Sequence, residues 1–419
     1  MASSSSVQRR TVHTRQFDNG LILLAEPTFA VESAAFTLLN PCGYSVDPAG
    51  RLGLTSLLCD LAFRGAGPRD NRALVNDLEN LGVERGESVS SAHTGFSAAT
   101  LAASLDEALA IFADVVRRPH LEDGDQLEAA RLVCLQEIHG TEDEPAQKLT
   151  DELRRRAYPE PWGRTGQGDE PGVGAATAED VREHWARFYR PNGAILGVAG
   201  NIDWNRLVAR VEALFGDWEP FEASEPVERP APNGSPHTEF EGNQCHIGIA
   251  YPTVPYRDPQ YLQAWAAVGA LSDGMSSRLF TEVREKRGLC YTVNASLQTQ
   301  LTRARVICYA GTTTERAQET LDVTYAELVR LGAGIEKGEL DRLKARIKSG
   351  MIMQQESTSS RSSSIARDWY HLGRVRSLEE LGLAIDALTA DTINAYLAEH
   401  PPQDFVFATL GPQPLVIPE

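Results

Sequence analysis

Apolar positions along this chain switch repeatedly between a period of two and a period of three to four, so short strands and amphipathic helices alternate from end to end. Strand-like runs stand at 21–27 (LILLAEP) and 33–40 (SAAFTLLN). Leu54, Leu57, Leu58 and Leu61 then recur at i, i+3, i+4 and i+7, which lines one face of a helix. The same reading predicts helices over 70–82, closed by Gly82, and over 105–117, 125–139, 148–157 and 178–189, with strands at 97–103 and 193–199. Residues 221–238 (FEASEPVERPAPNGSPHT) carry Pro, Gly, Ser and acidic residues without an apolar period and read as a linker. Beyond it the alternation restarts: strand 245–252, helices 258–272 and 276–287, strands 291–298 and 305–311, then helices 315–331, 336–356, 359–372 and 389–398. The serine-rich stretch 357–364 reads as the polar start of a helix, and residues 1–10, Ser-rich and then basic, as a disordered tail.

The two halves carry the same signal. VVRRPHLEDGDQLEAARL sets against LVRLGAGIEKGELDRLKARI with Leu127 matching Leu340, 213 residues on. DVREHWARFYRPNGAILGVAG sets against DTINAYLAEHPPQDFVFATLG with Gly200 matching Gly411, 211 residues on. Two offsets this close argue for a duplicated domain that ends helix, turn, strand, Gly. The expected domains are 11–220 and 239–419, joined by 221–238.

Composition narrows the function. The 419 residues include 42% hydrophobic and 23% charged, the balance of a folded globular chain. Forty Lys and Arg stand against 58 Asp and Glu, a formal net charge of −18 that disfavours nucleic acid and anionic lipid as partners. No run approaches the roughly 18 apolar residues of a membrane span, and the start lacks a secretion signal, so a cytoplasmic location without membrane contact is the expectation. Cysteines 42, 59, 134, 245, 290 and 308 show no CxxC or CxxH spacing and read as reduced core thiols. The sequence holds no P-loop, GxGxxG, GxSxG or HExxH, and no two histidines stand at helical spacing for a local metal site.

Several stretches together carry a resemblance: GLTSLLCDLAFRG (53–65), LENLG (78–82), LQEIHGTEDEP (135–145), FYRPNGAILGVAGNID (188–203), SSRLFTEVREKRGLCYTV (276–293) and YAGT (309–312). They resemble the M16 zinc peptidases, the pitrilysin or insulinase family, over nearly the whole chain. The resemblance implies an α+β fold of two homologous domains, each a mostly antiparallel sheet of five or six strands backed by helices, in the LuxS/metallopeptidase-like manner. Active members carry HxxEH on the helix after the first strands. Laid on that motif, the two histidine ligands fall on Ser56 and Asp60, the general-base glutamate falls on Cys59, and the distal glutamate ligand matches Glu137. A serine hydroxyl is a poor zinc ligand and a thiol is not a carboxylate base, so these four are expected to be degenerate zinc-site positions and the chain to hold no metal. They compete with a second reading, in which Cys59, Asp60 and Glu137 form another metal site or Cys59 is a nucleophile.

The family's arginine and tyrosine, seven residues apart in the last domain, bind the substrate backbone and the forming oxyanion. Here they match Arg284 and Tyr291. Without the resemblance these would read as a helix-surface arginine and a packing tyrosine. Lost zinc residues with a kept Arg/Tyr pair imply the non-catalytic, substrate-positioning subunit of a heterodimeric peptidase for unstructured peptides. Its partner would be an M16 chain of similar size supplying HxxEH and zinc, so that this chain is inactive alone. The alternatives are a homodimeric pseudopeptidase that scaffolds peptides and, less favoured, a subunit of a respiratory complex. FSAATLAASL (96–105) sits where the family's edge strand pairs with an extended peptide.

Overall fold

The computed structural model describes residues 11–418, and the tail read at 1–10 lies outside them. The first half runs β1 (His13–Gln16), β2 (Ile22–Pro27), β3 (Ser33–Asn40), α1 (Leu54–Ala62), a small ribbon of β4 (Gly65–Ala66) and β5 (Arg69–Asp70), and α2 (Asn71–Asn80). It continues through β6 (Glu84–Val89), β7 (Thr94–Leu101), α3 (Leu105–Arg117), α4 (Asp125–Glu142), α5 (Pro145–Ala157), α6 (Glu170–Ala175), α7 (Ala178–Phe188), β8 (Ile195–Gly200) and α8 (Trp204–Phe215). The second half runs β9 (His237–Glu239), β10 (Gln244–Thr253), α9 (Tyr261–Ser272), a π-helical turn (Phe280–Glu285), β11 (Cys290–Thr299) and β12 (Ala304–Thr313). Helices α10 (Ala317–Leu331), α11 (Lys337–Gln355), α12 (Thr358–Leu372), α13 (Leu378–Ala387) and α14 (Ala390–Glu399) and strand β13 (Val406–Gly411) complete it.

One sheet has the order β1-β2-β8-β3-β7-β6, the other β11-β12-β10-β13-β9. Read strand for strand, β2, β8, β3, β7 and β6 correspond to β9, β13, β10, β12 and β11. In each sheet a single pair, β2 with β8 and β13 with β9, is parallel and the others are antiparallel. The duplicated α+β plan is thus present in the topology, and β8 and β13 stand at the 211-residue offset. Stretch 96–105 is not an edge: β7 pairs with β3 on one side and β6 on the other, and β6 is the outer strand. The largely exposed and charged ERGESV of β6 hides a strand behind a loop-like composition.

The elements form two compact units, neither contiguous in sequence as the domains 11–220 and 239–419 would be. The first unit takes Ile352–Glu379 from the second half, and the second takes Gln136–Thr165 from the first. Helices α5 and α12 begin 213 residues apart, and each covers the sheet built by the other half. An apolar stripe tells that a helix is covered, not which sheet covers it. Gly197 on β8 admits α12, since a Cβ there would stand 2.5 Å from the Ser362 carbonyl. On the second sheet, α5 lays Leu149 and Leu153 against Gly248, Ala250 and Ile307.

Each unit has its own core. In the first, Phe36, Phe96, Phe112, Leu57, Leu58 and Leu61 are fully buried, with Phe36 and Phe112 edge-on at 4.9 Å. In the second, Ile247, Ile249, Val306 and Cys308 of the sheet meet Leu271, Leu279, Val283, Leu321 and Leu328. The serine-rich stretch does start a helix: Ser357 caps α12 through the Ser360 N–H, and Thr37 bonds the Ser362 and Ser363 hydroxyls at 3.0 and 2.9 Å.

Candidate functional site

Residues 276–287 do not complete a regular α-helix. Phe280–Glu285 form a π turn in which the Lys286 N–H reaches the Thr281 carbonyl at 3.0 Å, one residue further than an α-helical bond. Leu279 and Val283, both fully buried, anchor its inner side. Arg278 pins its start, donating through Nε and Nη2 to Glu339 at 2.7 and 2.8 Å and to the Gly334 carbonyl at 2.8 Å. Glu282 accepts from Lys286 and Arg287, whose bonds hold its carboxyl below the usual range. Arg284 is left on the exposed side, and makes no ion pair among the described residues. Its guanidinium stands 4.9 Å from the Phe280 ring centre and 5.8 Å from that of Tyr291.

Tyr291 is held by a second irregularity. Cys290 pairs with Thr312 and Thr292 with Gly311, so Tyr291 is an extra residue, a β-bulge on the edge strand β11. The bulge sets two successive side chains, Tyr291 and Thr292, clear of the core, while Cys290 before them is buried. Tyr291 is 84% exposed. A packing tyrosine does not stand so far out, so the structure brings Arg284 and Tyr291 together as a paired set of donors on the surface of the second unit. Burial pushes the neighbouring Cys290 thiol up to about 11, with Arg284 pulling in the other direction, so the sulfur stays protonated at neutral pH.

The positions that would carry zinc are occupied otherwise. Ser56 donates its hydroxyl to the Gly166 carbonyl at 2.5 Å, and Asp60 is paired with Arg64 one turn along α1. Cys59 is buried, and its thiol is pushed far up by desolvation and by Glu87 and Asp60. Glu137 is exposed on α4. As bonded, Ser56, Cys59 and Asp60 do not fit a zinc ion, and the Cys59 thiol has no thiolate character for attack. Among the described residues, no group of three or more His, Cys, Asp or Glu is placed to hold a metal.

What places α1 leaves no signal in the local sequence. Asp47 accepts from the Gly53 and Thr55 N–H groups at 2.8 and 2.9 Å and from the Thr55 hydroxyl at 2.6 Å, satisfying donors of the first turn. The Thr55 hydroxyl also lies 2.9 Å from His184 Nε2 on α7, and Cys42 lies 3.5 Å from the same nitrogen. Asp47 Oδ1 is 3.7 Å from that ring, but the Thr55 hydroxyl already bonds both groups, and burial lowers His184 to about 3. The four residues are buried and hold α1 to α7. A capping residue six positions ahead of Gly53 lies outside the usual cap signal, so spacing could not find it.

Two units of one topology, the first with an internally satisfied helix where family zinc ligands would stand and the second with an exposed Arg/Tyr pair, define a duplicated peptidase-fold chain. Two family models match it: "Insulinase (Peptidase family M16)" over residues 25–168 and "Peptidase M16 inactive domain" over 175–347. The chain belongs to peptidase family M16. An uncharacterized zinc protease of Mycobacterium tuberculosis is 29% identical over 406 residues, covering 94% of this chain and 91% of the relative. One of Bacillus subtilis is 25% identical over 403 residues, covering 94% and 97%. The crystal structure of a peptidase M16 inactive domain from Pseudomonas fluorescens shares the fold with a TM-score of 0.88 at 23% identity, over 97% of this chain and 100% of that one. A protease from Helicobacter pylori shares it equally, with a TM-score of 0.88 at 18% identity over 96% and 100%. No helix among the described residues is long and apolar enough to cross a membrane.

Proposed function

We propose that this chain is the non-catalytic, substrate-positioning subunit of a heterodimeric M16 zinc peptidase. It holds unstructured peptides for a partner chain of similar size that carries HxxEH and the zinc, and itself binds none. The observation that carries this reading is the exposed Arg284/Tyr291 pair, built on a π turn and a β-bulge and without an ion pair among the described residues. When charge develops on the scissile carbonyl at the partner's metal, the guanidinium and the phenol donate to it. One preorganised donor of this kind contributes about 3–4 kcal/mol to the transition state.

The test is native mass spectrometry of the protein drawn from its source cells, followed by reconstitution. A 1:1 partner carrying HxxEH is expected, with hydrolysis only in the mixture and lower turnover without dissociation in Arg284→Ala and Tyr291→Phe. A single chain that binds zinc stoichiometrically and hydrolyses peptides, losing both in Glu137→Ala, overturns the reading. A homodimer without such a partner transfers it to a peptide-binding pseudopeptidase.

A further inference from the structure

Beside the Arg/Tyr pair, the second sheet carries a polar dyad on the face that α5 shares. Strand pairing sets Thr292 of β11 opposite Gly311 of β12 and His246 of β10, and it sets Asn294 opposite Tyr309. Directly paired residues share a face, and so do residues two apart on one strand. Thr292, Asn294, Ser296, Tyr309, Gly311 and His246 therefore form one face, and its three β11 members are exposed. Helix α5 packs mainly on β10 and β13. Tyr309 does not stand straight up from its own rung. A Cβ on Gly311 would meet its hydroxyl at 2.9 Å, so the phenol lies back over Gly311 toward the rung next to Tyr291, where its oxygen is 2.8 Å from His246 Nδ1. Glycine at 311 leaves the space for this.

The chemistry of His246 fixes the polarity of that bond. The side chain is only 6% exposed, and its Nε2 is buried with no hydrogen-bond partner among the described residues. Burial lowers its pKa, so the ring is neutral and has one N–H to place. A buried, unpaired N–H is rarer than an under-satisfied acceptor, so the proton belongs on Nδ1. Nδ1–H then donates to the Tyr309 oxygen, and the phenol proton turns outward. Burial raises the Tyr309 phenol as well, which keeps that proton in place.

We propose that Tyr309 is a further substrate-positioning residue whose outward O–H donor is fixed by His246. It extends Arg284 and Tyr291 into a row of donors for acceptor groups of an extended peptide, either a backbone carbonyl or an acidic side chain. This rests on the positioning role given above to Arg284 and Tyr291.

Two measurements on the full chain test it. Long-range proton–nitrogen correlation with labelled histidine should show His246 neutral at pH 7 with the proton on Nδ1; a proton on Nε2, or a charged ring, overturns the assigned polarity whatever the function. Binding is then read by anisotropy of fluorescein-labelled, unstructured decapeptides, one alanine-rich and others with a single Asp scanned along it. Tyr309→Phe should weaken binding roughly fivefold to tenfold, the effect of one hydrogen bond. His246→Leu should match it, and His246→Asn, which keeps a donor near Nδ1, should restore most of it. Equal loss on every peptide assigns the contact to a backbone carbonyl, and loss confined to one Asp position assigns it to an acidic side chain. Binding that falls in Arg284→Ala but is unchanged in Tyr309→Phe overturns this inference alone. Absence of binding by the wild-type chain overturns it together with the positioning role.

Discussion

Arg284 and Tyr291 make few contacts with the rest of the fold, so their removal separates function from stability. Tyr291→Phe and Arg284→Ala are expected to leave folding stability within about 0.5 kcal/mol, as surface substitutions do. In a chain of this size that is a shift of at most roughly 2 °C in melting temperature. A larger loss, read by calorimetry, would mean that the pair packs rather than waits. Cys59 behaves in the opposite way. Its thiol is buried and pushed far up, so iodoacetamide at pH 8 should leave it unmodified in the native chain and label it after denaturation, as peptide mass analysis would show. Rapid native labelling would restore the nucleophile reading. At this scale the seven-residue spacing of Arg284 and Tyr291, and the residues that stand at 56, 59 and 60, are plain in the string. The π turn and the bulge that join the pair are not, because each depends on one backbone hydrogen bond displaced by a residue, and side-chain patterns do not record that.

Among elements, α12 has an attachment that single substitutions can test. It lies on the first sheet through Thr37 with Ser362 and Ser363, and through Arg361, which donates from Nε to Glu26 at 3.0 and 3.2 Å and from Nη2 at 2.5 Å. Both charges are buried, Arg361 at 7% and Glu26 at 1% exposure. Removing Arg361 takes a guanidinium that bonds both oxygens away from the buried Glu26 carboxylate, so Arg361→Ala should cost about 3 kcal/mol. The double variant Arg361→Met/Glu26→Leu should recover much of that, and chemical denaturation followed by tryptophan fluorescence checks both. Equal losses in the single and double variants would show that shape, not the buried charge left behind, sets the cost. Most elements were legible from periodicity: 105–117 is α3 to the residue, and 33–40 is β3. Among the elements that escaped were β1, β6 and β9, short or charged, the β4–β5 ribbon, helices α6, α8 and α13, and the exchange of α5 and α12, which no local pattern encodes.

The behaviour of the molecule in acid sets two effects against each other. With a net charge of −18, lowering pH toward the pI of about 5.0 relieves repulsion among surface carboxylates, which would stabilise the fold. Two buried histidines of the first unit oppose this. His184 sits in the Asp47–Thr55 network, and His93 packs edge-on at 4.4 Å from Tyr370 with His371 close enough to disfavour its charge. Burial lowers His93 to about 4 and His184 to about 3. In the unfolded chain both take up a proton near pH 6.5. Below that pH the unfolded form binds more protons than the folded one, so the stability these rings contribute is complete above pH 6.5 and is lost as pH falls toward 4. Added salt separates the effects, since at 1 M the screening length is about 3 Å and surface repulsion vanishes while buried rings are untouched. The melting temperature in 1 M NaCl is therefore expected to fall from pH 6.5 to pH 4.5, and the slope should flatten in His93→Asn/His184→Gln even though that variant starts from a lower value. A slope unchanged by the double substitution would assign the acid loss to groups other than these two rings.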